Sequence, residues 1–291
     1  MTDYPNALLV TKRQTLSPEE RALPLARYFD LPLHRPGPLQ QELLDRMPLD
    51  ESAATPPEDW LDILQPVGYQ AAEYGYCLRH DGTGYIASYT TYPGCTPAML
   101  AWYFRWINIH SAHMPPGQGN LRYKIWNPAD HWDHYFLNGH DKSGGIFTVE
   151  SLDLGEGEEM LGSIRHALDP RDFGLTTARW EALQEAGCWV DCATESFHPR
   201  DDPSTDLPGT HLFLTLTRIN PWGVLEKITR EWIGWGVADG ALAIDTSTPD
   251  WMLTEAYLKK VVTHGTVEAQ QLGKFLPELY ARYKDLPDDA D

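Results

Sequence analysis

The chain has 291 residues, 42% of them apolar and 22% charged, which is the composition of a globular protein with a substantial core. Its 42 acidic against 23 basic residues give a net charge of −19, and no cluster of Lys or Arg offsets it locally. Such a field repels phosphate backbones and anionic lipid surfaces, so neither nucleic acid nor membrane is an expected partner.

No apolar run approaches the roughly 20 residues that span a bilayer. The start, Met1-Thr2-Asp3-Tyr4-Pro5-Asn6, lacks the basic-then-apolar pattern of a secretion signal, which points to the cytoplasm. Cys77, Cys95, Cys188 and Cys192 are read as reduced structural thiols; Cys188 and Cys192 have no second pair near enough in sequence for a zinc knuckle.

In chain order, residues 1 to about 60 are rich in Pro and acidic residues, with a helical patch at Gln40–Leu44, and read as an extension packing on a core. Residues 61–291 form the main domain. Tyr85–Tyr92 is rich in β-branched and aromatic residues and stops at Pro93-Gly94, so it is expected to be a strand. Thr96 and Pro97 are an N-cap and a first-turn proline for a helix from Ala98 to about Ile109. Leu121–Trp126, Gly145–Leu154 and Met160–Leu168 are expected strands. His211–Arg218 is the clearest one, closed by Asn220-Pro221-Trp222-Gly223. The last third reads as helical, culminating in a long helix from Trp251 to Tyr283 whose Leu258, Val261, Val262, Leu272, Phe275, Leu276 and Leu279 form one apolar face. Strands followed by a long helix predict an α+β fold, with room for a small-molecule cavity between sheet and helix.

Three segments carry polar groups that a plain core does not need. His131 and His134 are expected just past the strand ending at Asn127-Pro128. Glu150 falls among apolar neighbours in a strand, a costly place for a carboxylate without a partner or a metal. His264 and Glu268, four apart on the long helix, share a face with Cβ atoms about 5–6 Å apart. Two imidazoles and two carboxylates from three elements would suit Zn²⁺, with Mn²⁺ or Fe²⁺ as alternatives. The competing reading of the same spacings is a set of surface and core contacts. Trp102, Trp106, Trp126, Trp132 and Trp222 are candidates to line an apolar pocket, or are simply core.

The ordered set Met99–Trp106, Arg122–His131, Val149-Glu150-Ser151, His264 with Glu268, and Phe275–Tyr280 resembles the phloretin hydrolase and 2,4-diacetylphloroglucinol hydrolase family, over roughly Tyr69 to Tyr280. The resemblance implies a Bet v1/START-like helix-grip fold, in which a curved antiparallel sheet surrounds the C-terminal helix. It also implies a zinc held by His131, Glu150, His264 and Glu268, and hydrolysis of the bond joining an acyl group to a polyhydroxylated ring. The small-molecule partner would be a phenolic ketone such as an acylphloroglucinol or a dihydrochalcone. Because the stretch after His131 is shorter here than in relatives, Glu158 and Glu159 are alternatives to Glu150. The resemblance makes Tyr123 a substrate-binding tyrosine and His211 an active-site histidine. It also puts His134 where the diacetylphloroglucinol enzyme has an asparagine. A non-catalytic carrier of an aromatic ligand, or a metal enzyme with another reaction, stays open at this point, as does the choice between monomer and homodimer.

Overall fold

The computed structural model describes residues 8–111, 114–157 and 159–290. Three short helices come first: α1 (Pro18–Ala22), α2 (Ala26–Phe29) and α3 (Pro38–Asp45). Strands β1 (Gly75–Leu78) and β2 (Gly84–Tyr92) follow, then helices α4 (Pro97–Trp106) and α5 (Leu121–Lys124). Next come β3 (His131–Phe136), β4 (Ile146–Glu150), β5 (Leu161–Ala167), helix α6 (Thr177–Glu185), β6 (Trp189–His198), β7 (Leu207–Ile219) and β8 (Leu225–Ile233). A small hairpin of β9 (Trp235–Ala238) and β10 (Ala241–Ile244) precedes α7 (Glu255–Tyr283). The main sheet is antiparallel with eight strands in the order β1-β2-β8-β7-β6-β5-β4-β3.

Strand alternation gives this sheet two unlike faces. Leu212, Leu214 and Leu216 of β7, with Ile228 and Trp232 of β8, pack against Trp60, Ile63 and Leu183 on the outer side. On the inner side Ile86, Phe197 and Ile233 meet Leu258, Val261 and Val262 of α7. The C-terminal half of α7 turns Leu272, Phe275, Leu276 and Leu279 onto Tyr103 and Trp106 of α4 and onto Leu25, Tyr28 and Phe29 near the N-terminus. Burying Leu or Phe side chains of this kind contributes about 1.5–3 kcal/mol each. The α+β class, a large antiparallel sheet with a long C-terminal helix, is thus as expected from sequence.

Several local expectations are corrected. Leu121–Trp126 is not a strand: Leu121–Lys124 is one helical turn, capped by the Asn120 side chain accepting from Arg122 N–H. All four residues are buried. Arg122 is satisfied by the carbonyls of Ile109, Asp288 and Ala290, and Lys124 by Glu20. His131 and His134 lie within β3, not beyond a strand end. Glu150 is the last residue of β4 rather than central in a strand from Gly145 to Leu154. The last third is not uniformly helical, since β8 is a central strand of the sheet and the helix begins at Glu255, not Trp251. Charged residues at Glu226, Lys227, Arg230 and Glu231 mask that strand in the sequence. Two of them are buried against partners, Glu226 with Arg218 at 2.7 Å and Arg230 with Glu73 at 2.6 Å. Thr96 does cap α4, accepting from Met99 N–H.

Lys124 Nζ and Glu20 Oε1 are 2.6 Å apart, each side chain 1% exposed. Removing one partner of such a pair leaves a buried charge uncompensated. Glu20→Ala is therefore expected to lower unfolding free energy by about 3–5 kcal/mol in urea titration. Glu20→Leu combined with Lys124→Met should restore most of that loss, and a double variant as unstable as the single one would count against this account.

Candidate metal centre

Antiparallel register places His131 of β3 directly opposite Glu150 of β4, and a bulge between His131 and Asp133 re-aims the start of β3. Helix α7 passes over this corner of the sheet and lowers His264 and Glu268, one turn apart, onto the pair. His131 Nε2 and His264 Nε2 come within 3.3 Å of each other. Glu268 Oε2 is 3.5 Å from the first and 3.7 Å from the second. Glu150 Oε2 is 3.4 Å from His131 Nε2 and 3.8 Å from His264 Nε2.

These spacings suit a cation. Ligand atoms about 2.0–2.2 Å from a tetrahedral centre lie about 3.3–3.6 Å from one another. Among the described residues, His131, His264 and Glu268 form a group whose donor atoms all lie within 4.8 Å of one another. Glu150 adjoins that group through both imidazoles.

Groups behind the imidazoles decide which nitrogen is free. His264 Nδ1 is 2.8 Å from Asp130 Oδ2, and His131 Nδ1 is 3.2 Å from the carbonyl oxygen of Tyr123. An acceptor at each Nδ1 fixes the N–H there and leaves both Nε2 lone pairs directed at the same point. Asp130 is itself held by Asn127 Nδ2, Ser151 Oγ and the N–H of Gly155. Burial alone would raise its carboxyl, but the hydrogen bond and charge of His264 keep it below the usual carboxylate range.

The electrostatics show the same demand. Burial works to lower His264, yet the hydrogen bond to Asp130 and the charges of Glu150, Asp130 and Glu268 push it up to about 10. Burial would raise Glu268, and the hydrogen bond from His131 with the charges of Lys227 and both histidines lowers it instead. The corner calls for positive charge, which a proton or a divalent cation supplies.

Tyr123 stacks flat on His131, ring centroids 3.8 Å apart, and donates its hydroxyl to Glu150. Burial and the neighbouring Glu150 charge hold its phenol well above the ordinary value, so it stays a donor. His134 sits with its ring 4.7 Å from that of Tyr123, and its buried Nδ1 has no hydrogen-bond partner among the described residues. Burial, with the charges of Arg165 and His131, keeps it well below the usual histidine value.

His211 belongs to a different group on the inner face. Its Nε2 is 3.4 Å from the Tyr257 hydroxyl and its Nδ1 is 3.9 Å from Glu195. Burial brings it down to about 4. Of the alternative carboxylates, Glu159 is exposed, and Glu158 lies outside the described residues. Among the tryptophans, Trp126 borders the centre, its indole N–H on the Glu268 carbonyl and its ring edge on His131. Trp102 and Trp106 stack on each other in the core around α4, Trp132 sits beneath Lys124 and Arg200, and Trp222 is 74% exposed at a hairpin turn. The four cysteines are free and buried.

Asp130 is the residue that sequence reasoning missed. Its signal was its place immediately before His131, where a second acidic group serves no strand.

Comparison with known proteins gives concordant matches. The sequence pattern described as the DAPG hydrolase PhiG domain matches residues 56–281. The chain is 27% identical to the phloretin hydrolase of Eubacterium ramulus over 290 residues, 92% of this chain and 93% of that protein. It is 31% identical to the 2,4-diacetylphloroglucinol hydrolase of Pseudomonas protegens over 283 residues, 90% and 85% of the two chains.

If Asp130 orients His264, Asp130→Asn should weaken divalent-cation affinity by about 10–100-fold while leaving the fold intact. Chelator competition read by elemental analysis checks this, and retention equal to wild type would remove Asp130 from the centre.

Proposed function

Because the chain belongs to the DAPG hydrolase PhiG domain family, we propose that it hydrolyses the carbon–carbon bond between an acyl group and a polyhydroxylated aromatic ring. The substrate on this reading is a phenolic ketone, as the names of its relatives suggest. His131, Glu150, His264 and Glu268 hold a divalent cation, with Zn²⁺ favoured by the mixed nitrogen and oxygen donors. The observation that carries the proposal is the convergence of two Nε2 atoms 3.3 Å apart with two carboxylates, Glu150 of β4 and Glu268 of α7, within 3.5 Å of His131 Nε2. A simple carrier of hydrophobic ligands has no use for that arrangement. We read the fold as a helix-grip of the Bet v1/START type, with residues 1–60 as an extension and 61–291 as the working unit. Among the described residues no helix is long and apolar enough to cross a membrane, and the free buried thiols fit a reducing compartment such as the cytoplasm.

The reaction consumes one water. Its oxygen bonds to the acyl carbonyl carbon, the aryl–acyl bond breaks with its electron pair passing to the ring, and the ring carbon takes a proton. The products are a phenol and a carboxylic acid. Ring hydroxyls ortho and para to the broken bond make the ring a competent leaving group, since the charge spreads to oxygen. A cation in the centre would supply Lewis acidity, polarising the carbonyl and lowering the pKa of water.

The side chains do the rest. Asp130 and the Tyr123 carbonyl hold the two imidazoles in the tautomer that leaves Nε2 free. Tyr123 donates its hydroxyl proton to Glu150 and so steadies that carboxylate, while its phenolic oxygen can accept from a hydroxyl of the substrate. His134, neutral and with an unpartnered Nδ1, can take a proton and return it to the ring carbon. His211 and Tyr257 offer a second neutral imidazole–phenol pair deeper on the inner face.

Purified protein should contain one equivalent of metal per chain, and a variant with both His264→Ala and Glu268→Ala should contain none. Wild type should release a free acid and a deacylated phenol from an acylphloroglucinol, lose this activity after chelation, and regain it on adding Zn²⁺. A metal-free wild type with full activity would refute the proposal. Tyr123→Phe is expected to lower kcat/KM by about 10²-fold with metal content unchanged.

A further inference from the structure

Arg165 is a cation that acts on Glu150 and Tyr123 and has no task in the chemistry above. It projects from β5 on the inner face, opposite Glu195 of β6. Its guanidinium lies over the Phe213 ring on β7, 4.2 Å from the centroid. Despite that contact, 38% of its side-chain surface is open. Phe213 covers one face of the guanidinium plane, so the open surface is available to a ligand.

The surroundings place that surface beside the reacting centre. Arg165 interacts electrostatically with Glu195, Asp191, Glu150 and Tyr123, and with His134 and His211, which spans both groups on the inner face. Its contact with Glu195 is loose, 3.6 Å, and it makes no hydrogen bond among the described residues. Its Nε is buried with no hydrogen-bond partner among the described residues. A structural strut between β5 and β6 would be expected to close into a bidentate pair at about 2.7–2.9 Å. Glu195 instead accepts its close hydrogen bond from Ser163 Oγ, at 3.0 Å. Glu231, opposite Phe213 on β8, is pushed up to about 7 by burial and by Glu195, so it does not add a full competing anion at neutral pH.

A planar, permanently charged group with one face backed by an aromatic ring suits stacking against a flat, electron-rich partner. Resting on the reaction proposed above, we propose that Arg165, supported by Phe213, is the platform on which the polyhydroxylated ring of the substrate lies, and that its charge offsets the electron density the ring takes up when the acyl bond breaks. The guanidinium then acts twice, in holding the ring and in stabilising it as a leaving group. The second action makes the effect larger in the transition state than in the ground state.

The test uses metal-loaded full-length protein and 1,3,5-trihydroxybenzene, the simplest ring of the class, with binding followed by calorimetry. Arg165→Met should bind this ring roughly tenfold more weakly than wild type, and its kcat on an acylphloroglucinol should fall further than its affinity. Arg165→Lys, which keeps the charge and loses the plane, should fall between the two. Ring binding and turnover unchanged in Arg165→Met overturn the platform. If that variant fails to retain metal and helical signal, Arg165→Lys decides, and ring affinity equal to wild type in it is the refuting result. Acetate is the control for the other product. Lost acetate binding with ring binding intact would assign Arg165 to the carboxylic acid and overturn the proposal. A strut alone would make Glu195→Gln and Arg165→Met equal in thermal midpoint and leave ring affinity of the folded protein untouched. Ring binding that depends on Arg165 in a wild type that cleaves no acylphenol would sink the reaction and leave the platform standing.

Discussion

The hydrogen bond from His264 Nδ1 to Asp130 Oδ2, 2.8 Å long and buried, joins the long C-terminal helix to the residue before strand β3. Both partners are members of wider sets. Asp130 is gripped by the loop and turn around Asn127, Ser151 and Gly155, and His264 belongs to a helix packed along the inner face of the sheet. One contact therefore fixes the tautomer of an imidazole and the rotation of a helix. If the helix turned by one residue, about 100°, Glu268 would leave the corner with His264. The apolar seam of Leu258, Val261 and Val262 opposes that rotation. Hydrophobic packing supplies the holding force, and the hydrogen bond supplies the register.

The inner face of the sheet carries an unusual density of polar groups for a surface beneath a helix. Thr148, Glu150, Arg165, Glu195, His211, Thr215 and Glu231 all project there by strand alternation. Buried ionisable groups are costly unless paired or solvated. Here they cluster between the apolar seam at one end of α7 and the aromatic core at the other. The outer face, by contrast, is leucine and tryptophan beneath Trp60 and α6. The sheet is thus a partition, with packing on one side and chemistry on the other.

How much of this was legible in the sequence follows from the range of the interactions. His264 and Glu268 were readable because helical spacing is a local property, and β7 was readable because Leu212-Phe213-Leu214 is strongly strand-forming. The α+β class followed from those two signals. The turn at Leu121–Lys124 was misread because its buried Arg122 and Lys124 are satisfied by Asp288, Ala290 and Glu20, all more than 100 positions away. Strand β8 is hidden by its charges, of which Glu226 is paired with Arg218 opposite it on β7 and Arg230 with the distant Glu73. The sequence marked His131 and Glu150 as unusual separately. Their facing register is a property of the hairpin, which no spacing rule reveals. Asp130 needed knowledge of which nitrogen His264 exposes, and Arg165 needed the pairing of β5 with β6 and the ring of Phe213 beside it.

The Glu20–Lys124 pair has a further consequence for how variation in this protein would be read. Lys124 is the neighbour of Tyr123, whose ring and carbonyl both bear on His131. Glu20 lies ahead of the stretch from 56 to 281 that defines the family pattern. A survey of variants scored for cation retention would accordingly find hits in a segment that motif-based comparison treats as peripheral. Their effect would travel through a single buried ammonium rather than through any ligand. In this fold, distance along the chain from the centre is a poor guide to how firmly a residue is tied to it.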